Sequence, residues 1–233
     1  MERRTFIKSS LAAAAGLALS NSKLYGIMKE NSVNQGSSDK QIEKVSEGSG
    51  KKILVLMSAW MKNGNTDRVT DSFIKGAVEN GHSVTKVYLG AMSLRGCRGC
   101  GACLRNGHHC VVNDDMQKLY PLFSWCDMIV MASPVYFWTI TASLKAFIER
   151  LYAISVNDQY PTKELILLMT AGLDNKEVFA HGRSYAKTFA SVLGKEDIVG
   201  SCLAGGCVGC ESDKMSVPQH YIDEAYQLGH QIR

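Results

Sequence analysis

The sequence predicts an α/β protein built on a doubly wound, five-stranded parallel sheet with strand order 2-1-3-4-5. Three observations predict it. Short apolar runs alternate with stretches of helical period from Lys51 onward. The runs are continuously apolar, as in strands buried on both faces. The first run ends in a polar, glycine-containing loop that opens a helix, the usual start of a parallel βαβ unit.

In order, Lys52–Met57 reads as the first strand. A helix follows over Asp67–Asn80, with Val69, Phe73 and Val78 on one face, and Asn80-Gly81 ends it. Val84–Leu89 is the second strand, Met128–Met131 the third, Leu165–Met169 the fourth, and Ile198–Leu203 a weaker fifth. Helices are expected over Met116–Phe123, Ala142–Tyr152, Val178–Leu193 and Gln219–His230. Leu144, Phe147, Ile148 and Leu151 supply the apolar stripe of the second of these. Ligands in such sheets bind beyond the carboxyl ends of the strands, so the loops after Met57, Met131 and Met169 are the ones to inspect.

Residues 1–20 read as an export address and 21–50 as a polar tether, leaving one domain over 51–233. Arg3-Arg4-Thr5-Phe6-Ile7-Lys8, followed by a mildly apolar run to Leu19, resembles a twin-arginine signal. That resemblance implies delivery of a folded protein to the periplasm or beyond. The run is too short to span a bilayer, so no stable membrane span is expected. Net charge is +4 over 233 residues, and the first segment carries about half of it. What remains has no basic stripe suited to nucleic acid.

Ser58-Ala59-Trp60-Met61-Lys62-Asn63-Gly64-Asn65-Thr66 follows the first strand. It reads as an anion cradle: Gly64 permits a tight turn, the helix start offers unpaired N–H groups, Asn65 and Thr66 add donors, and Lys62 adds charge. The Gly-Lys-Ser/Thr ending of a P-loop is missing. The third strand leads into Ser133-Pro134-Val135-Tyr136-Phe137-Trp138, then Leu144-Lys145-Ala146-Phe147-Ile148-Glu149-Arg150.

These elements together resemble the NADPH-dependent FMN reductases and iron-sulfur flavoproteins, which have a flavodoxin-like fold. The resemblance implies an FMN site. Ser58, Lys62, Asn63, Asn65 and Thr66 would hold the phosphate. Pro134, Val135, Tyr136 and Phe137 would lie against the ring through backbone N–H groups and an aromatic wall. Thr170-Ala171-Gly172 would be a third contact. An ungapped match puts Ala59 where the family has serine and Met61 where it has arginine, which leaves a hydroxyl to Ser58 and a charge to Lys62. Homodimers or homotetramers are also implied.

Eight cysteines are present, four of them as Cys97-x2-Cys100-x2-Cys103-x6-Cys110 after the second strand. Four thiolates are the standard ligand set of a 4Fe–4S cluster, and the spacing resembles that of iron-sulfur flavoproteins. Structural zinc, disulfides and free redox-active thiols remain open alternatives. His108 and His109 read as turn residues, and Cys202, Cys207 and Cys210 receive no role.

The expected function is that of an exported FMN-dependent oxidoreductase, an electron-transferring iron-sulfur flavoprotein. Alternatives are a cluster-free NAD(P)H-dependent flavin or quinone reductase, a flavodoxin-type electron shuttle, and a thiol- or zinc-binding module. NAD(P)H is a candidate donor, but it is scarce outside the cytoplasm, so a redox partner protein or another small-molecule donor is equally expected. No catalytic acid or base is nominated.

Overall fold

The computed structural model describes residues 38–155, 160–209 and 214–233. The export address and most of the tether lie outside them, as does Cys210. The strands are β1 (Ile42–Ser46), β2 (Lys52–Met57), β3 (Ser83–Tyr88), β4 (Met128–Pro134), β5 (Glu164–Thr170) and β6 (Gly200–Ala204). They form one sheet in the order β1-β3-β2-β4-β5-β6. The five from β2 to β6 are parallel and reproduce the expected 2-1-3-4-5 order.

The sixth strand is a finding the sequence does not announce. β1 lies inside the stretch read as tether and pairs antiparallel with β3, Ile42 opposite Val87 and Lys44 opposite Thr85. The register slips between Lys44 and Ser46, and the ladder resumes with Ser46 opposite Val84. Ser46 then accepts the Val84 N–H and donates to the His82 carbonyl. The strand is hard to read because it is an edge: it is half-exposed and carries Glu43 and Lys44, the charges that blunt an edge against further pairing.

The helices are α1 (Asn65–Glu79), α2 (Met116–Trp125), α3 (Ala142–Arg150), α4 (Ala180–Val192) and α5 (Gln219–His230). Each strand faces both ways. Leu54, Leu56, Ile129, Met131, Leu165 and Leu167 pack with Leu119, Phe123, Leu144, Phe147 and Phe189 of α2, α3 and α4. Ile53, Val55, Met57, Val130 and Leu168 pack with Val69, Phe73 and Ala77 of α1 and Ala225 of α5. This two-sided burial produces the unbroken apolar runs.

α1 and α5 touch backbone to backbone. A Cβ on Gly76 would stand 2.2 Å from the Tyr226 carbonyl oxygen, and one on Gly229 would stand 2.1 Å from that of Phe73. Among the described residues, no helix is long and apolar enough to cross a membrane.

Candidate functional site

A cavity of about 380 Å³ opens at the carboxyl end of the sheet. That volume lies within the range of small-molecule and cofactor sites. Its walls come from the loops after β2, β4 and β5 together with the segment after β6: Met61, Gly64, Asn65 and Thr66, then Pro134, Val135 and Tyr136, then Thr170 to Gly172, then Cys207 and Met215.

The cradle is built by the start of α1. Gly64 is the N-cap, so no side chain caps the helix and its first amides remain available to an anion at the cavity. Asn63 takes a left-handed conformation, φ 59°, to deliver the chain into the helix. Its N–H donates to Asp67 Oδ2 at 2.7 Å, and its carbonyl accepts from Arg68 Nε at 2.9 Å. Asp67 also receives Lys86 Nζ at 2.5 Å, and Asp71 joins the same lysine. Burial opposes the Lys86 charge, but the hydrogen bonds it donates to the two aspartates outweigh that and raise the lysine's pKa. A buried ion pair therefore braces the cradle from behind against β3.

Two hydroxyls meet in the wall, Thr66 Oγ1 and Thr170 Oγ1, 2.7 Å apart and buried. Asn65 Nδ2 donates to the Val208 carbonyl at 3.1 Å, while its Oδ1 is buried without a hydrogen-bond partner. Uncapped amides, a buried hydroxyl pair and an orphan acceptor fit a ligand carrying both a phosphate and hydroxyls, as FMN does.

Several expected residues are placed elsewhere. Ser58 does not line the cavity; it is buried and donates its hydroxyl to the Ala132 carbonyl at 2.9 Å. Lys62 pairs with Glu43 of β1 at 2.7 Å and stands over the Tyr88 ring, outside the lining. The charge that looked destined for a phosphate is taken by a strand the sequence hides. Met61 lines the cavity instead.

The ring-side loop differs as well. The Val135 N–H is spent on the Thr170 carbonyl at 2.8 Å, and the Tyr136 N–H on Thr139 at 3.0 Å. These two amides are therefore committed within the protein, and Pro134 has none. Pro134, Val135 and Tyr136 line the cavity without a free amide among them. Phe137 and Trp138 form the tip of a two-residue hairpin, with left-handed φ values of 48° and 62°. Phe137 is 94% exposed and meets Trp138 edge to face at 6.2 Å.

Cys207, Gly209 and Met215 are lining residues that no motif singles out. Thr170 sits in a stretch already expected as a third contact, but its bond to Thr66 depends on the register of β5. Cys207 and Met215 come from a glycine-rich segment without a motif. Burial pushes the Cys207 thiol up, and it pushes Cys202 up to about 12 and Cys126 up to about 11. These three are protonated packing groups at neutral pH.

Cys97, Cys100, Cys103 and Cys110 line a second pocket, also of about 380 Å³, with Arg150, Tyr152 and Ala153. None of the seven described cysteines is in a disulfide. Among the described residues no three His, Cys, Asp or Glu side chains stand together as a metal-binding group. The loop curls through left-handed backbone at Gly99, Gly101, Gly107 and His108. Four free thiols around one pocket fit a cluster in donor type and number.

Comparison with known proteins agrees with this architecture. Over 100 residues the chain is 36% identical to an iron-sulfur flavoprotein of Archaeoglobus fulgidus, covering 43% of this chain and 45% of that one. Over 99 residues it is 31% identical to an iron-sulfur flavoprotein of Methanosarcina thermophila, covering 42% and 51%. The matches thus span about half the length of these curated relatives. Among solved structures, a NAD(P)H:quinone oxidoreductase from Methanothermobacter marburgensis superposes with a TM-score of 0.61 at 15% identity, over 79% of this chain and 100% of that one. An azoreductase from Bacillus anthracis does so with a TM-score of 0.61 at 13% identity, over 78% and 100%. At such identities the likeness is one of fold, which is the flavodoxin-like one. The family model described as NADPH-dependent FMN reductase matches residues 51–185, the stretch that holds the cradle, the ring-side loop and the cysteine loop, and the chain belongs to that family.

Proposed function

We propose that this protein is an exported FMN-dependent oxidoreductase that relays electrons between a flavin in the β2–β4–β5 cavity and a 4Fe–4S cluster on Cys97, Cys100, Cys103 and Cys110. One observation carries the flavin part: the uncapped start of α1 opens, through Gly64, Asn65 and Thr66, onto a cavity of cofactor size at the carboxyl end of a parallel sheet. When bound, FMN supplies a centre that takes two electrons together or one at a time, and a cluster supplies single-electron steps.

The protein's own work is binding and orientation. The α1 amides and Thr66 hold the phosphate, and the Lys86–Asp67 pair keeps that cradle rigid. Asn65 Oδ1, buried without a partner, would accept from a hydroxyl of the bound nucleotide. Pro134, Val135 and Tyr136 exclude water from one side of the ring. No side chain in the lining is assigned as an acid or base. The Arg3-Arg4 signal supports delivery in the folded state, which favours a redox partner protein or a quinol as the external electron source over NAD(P)H.

A second reading, a cluster-free NAD(P)H-dependent flavin or quinone reductase, is favoured by one observation: the loop thiols line an open pocket without standing as a formed metal group. Anaerobic purification followed by visible spectroscopy, flavin extraction and iron analysis tests both. Flavin with about four irons per chain supports the first reading. Flavin without iron supports the second, and the absence of flavin overturns both.

A further inference from the structure

Among the described residues Arg150 heads the fully buried side chains by volume, and the hydrogen bonds its guanidinium donates all reach the neck of the cysteine loop. Its Nη1 donates to the Arg95 carbonyl at 2.9 Å and to Asp114 Oδ2 at 2.8 Å. Its Nη2 donates to the Val112 carbonyl at 3.2 Å and to Asp114 Oδ1 at 3.1 Å. Arg95 precedes Cys97 and Val112 follows Cys110, so a single guanidinium ties both ends of the loop together. Neighbours reinforce the closure. Asp114 accepts the Arg95 N–H, Glu149 accepts the Cys97 N–H at 3.1 Å, and Gln117 Nε2 donates to the Cys110 carbonyl at 2.9 Å.

One donor is left over. Arg150 Nε is buried with no hydrogen-bond partner, although Arg150 is only 2% exposed and lines the pocket shared by the four cysteines. A buried guanidinium N–H without an acceptor is costly, and native structures leave few of them.

We infer that Arg150 is a positioning residue that closes the neck of the cysteine loop and reserves its Nε–H for a sulfur of the group bound there. This rests on the four-thiolate reading proposed above. A donor aimed at sulfur stabilises the more negative, reduced form and so raises the midpoint potential. Closing the neck holds together the two ends of the loop that carries the four thiols. The other four donors of the fork are already committed, which explains why an arginine and not a lysine occupies the position.

The test uses the full chain, purified anaerobically and reconstituted with ferrous iron and sulfide. Arg150→Lys keeps the charge and loses the fork. The double variant Arg150→Met with Asp114→Leu removes both buried charges and so avoids leaving one unpaired, which protects folding. Two readouts apply: the midpoint potential by electron paramagnetic resonance, and the alkylation rate of the loop cysteines in metal-free protein, with flavin content reporting the fold. In either folded variant, any cluster retained should show a lower midpoint potential. Alkylation of Cys97, Cys100, Cys103 and Cys110 should be about tenfold faster as the neck opens, while Cys126 and Cys202 stay protected. Native potential with native alkylation rates in a folded variant overturns the inference. Native protein that takes up flavin but no iron overturns the four-thiolate reading, and the role of Nε falls with it.

Discussion

Thr66 and Thr170 present their hydroxyls to each other at 2.7 Å in the wall of the cavity, one from the first turn of α1 and the other from the end of β5. The bond joins two loops far apart in sequence and leaves the Thr66 hydroxyl where a phosphate oxygen would compete for its proton. Thr66→Val should therefore weaken FMN binding by about 1.5–3 kcal/mol, the worth of a hydrogen bond to a charged group. Thr170→Val, which removes only the partner, should cost about 1 kcal/mol or less. Quenching of flavin fluorescence measures both, and equal losses would reject the assignment.

Gly64 gives a cleaner probe of the cradle. Gly64→Asp places a carboxylate at the N-cap, where it satisfies the same amides that a phosphate would use. Helix stability should hold or rise, while FMN affinity should fall by about 1–2 kcal/mol through competition for those amides. Riboflavin, which lacks the phosphate, should bind the variant and the native protein alike. A matching loss for riboflavin would show that the substitution merely fills the cavity.

The cysteine loop should be sensitive to acid. Burial works against the Asp114 carboxylate, but the hydrogen bonds from Arg150 and the Arg95 amide outweigh it and hold its pKa below the ordinary value. A carboxylate so depressed stabilises the fold above its unfolded value of about 3.9, and that stability is lost as pH falls through the folded value. Native metal-free protein should thus exceed Asp114→Asn in stability by a full margin at neutral pH. The margin should shrink once pH drops below about 4. Urea midpoints across that range check the sign, and a constant margin would mean that Asp114 stays charged throughout.

At the hairpin tip, two bulky residues occupy positions that ordinarily favour glycine or asparagine. Both central residues of such a turn need positive φ, and Phe137 and Trp138 adopt it. Left-handed backbone costs a side-chain-bearing residue roughly 1–2 kcal/mol, and glycine recovers part of that. Trp138→Gly should raise stability by about 0.5–1 kcal/mol in thermal unfolding and leave FMN affinity unchanged, because Trp138 does not line the cavity. Lower stability would mean that the edge-to-face contact with Phe137 outweighs the strain.

Most of the parallel sheet was legible because strands buried on both faces show themselves as unbroken apolar runs. β1 was not, since an edge strand with Glu43 and Lys44 in it looks like tether. That one omission carried a second with it: Lys62 reads as a phosphate partner only while Glu43 has no place in the fold. The helix start at Gly64 to Thr66 could be read because it is a local feature, whereas Asn63, expected beside them, lies outside the lining and gives its N–H to Asp67. Thr170 was expected as a contact, but its bond to Thr66 needed the register of β5 against its neighbours, which no local pattern encodes. Arg150 looked like an ordinary basic residue in the last turn of a helix. Its grip on Arg95 and Val112 depends on a loop 38 to 55 residues upstream.

The glycine contact between α1 and α5 also orders events in time. The Ser72 hydroxyl reaches the Ile222 carbonyl across 150 residues of sequence, and the same seam joins Gly76 to Tyr226. A nascent chain can shape the first βα unit early, yet that helix keeps a bare apolar flank until its distant cover has been synthesised and docked. The first helix is accordingly completed late, once residues 219–230 have been made and have closed over it.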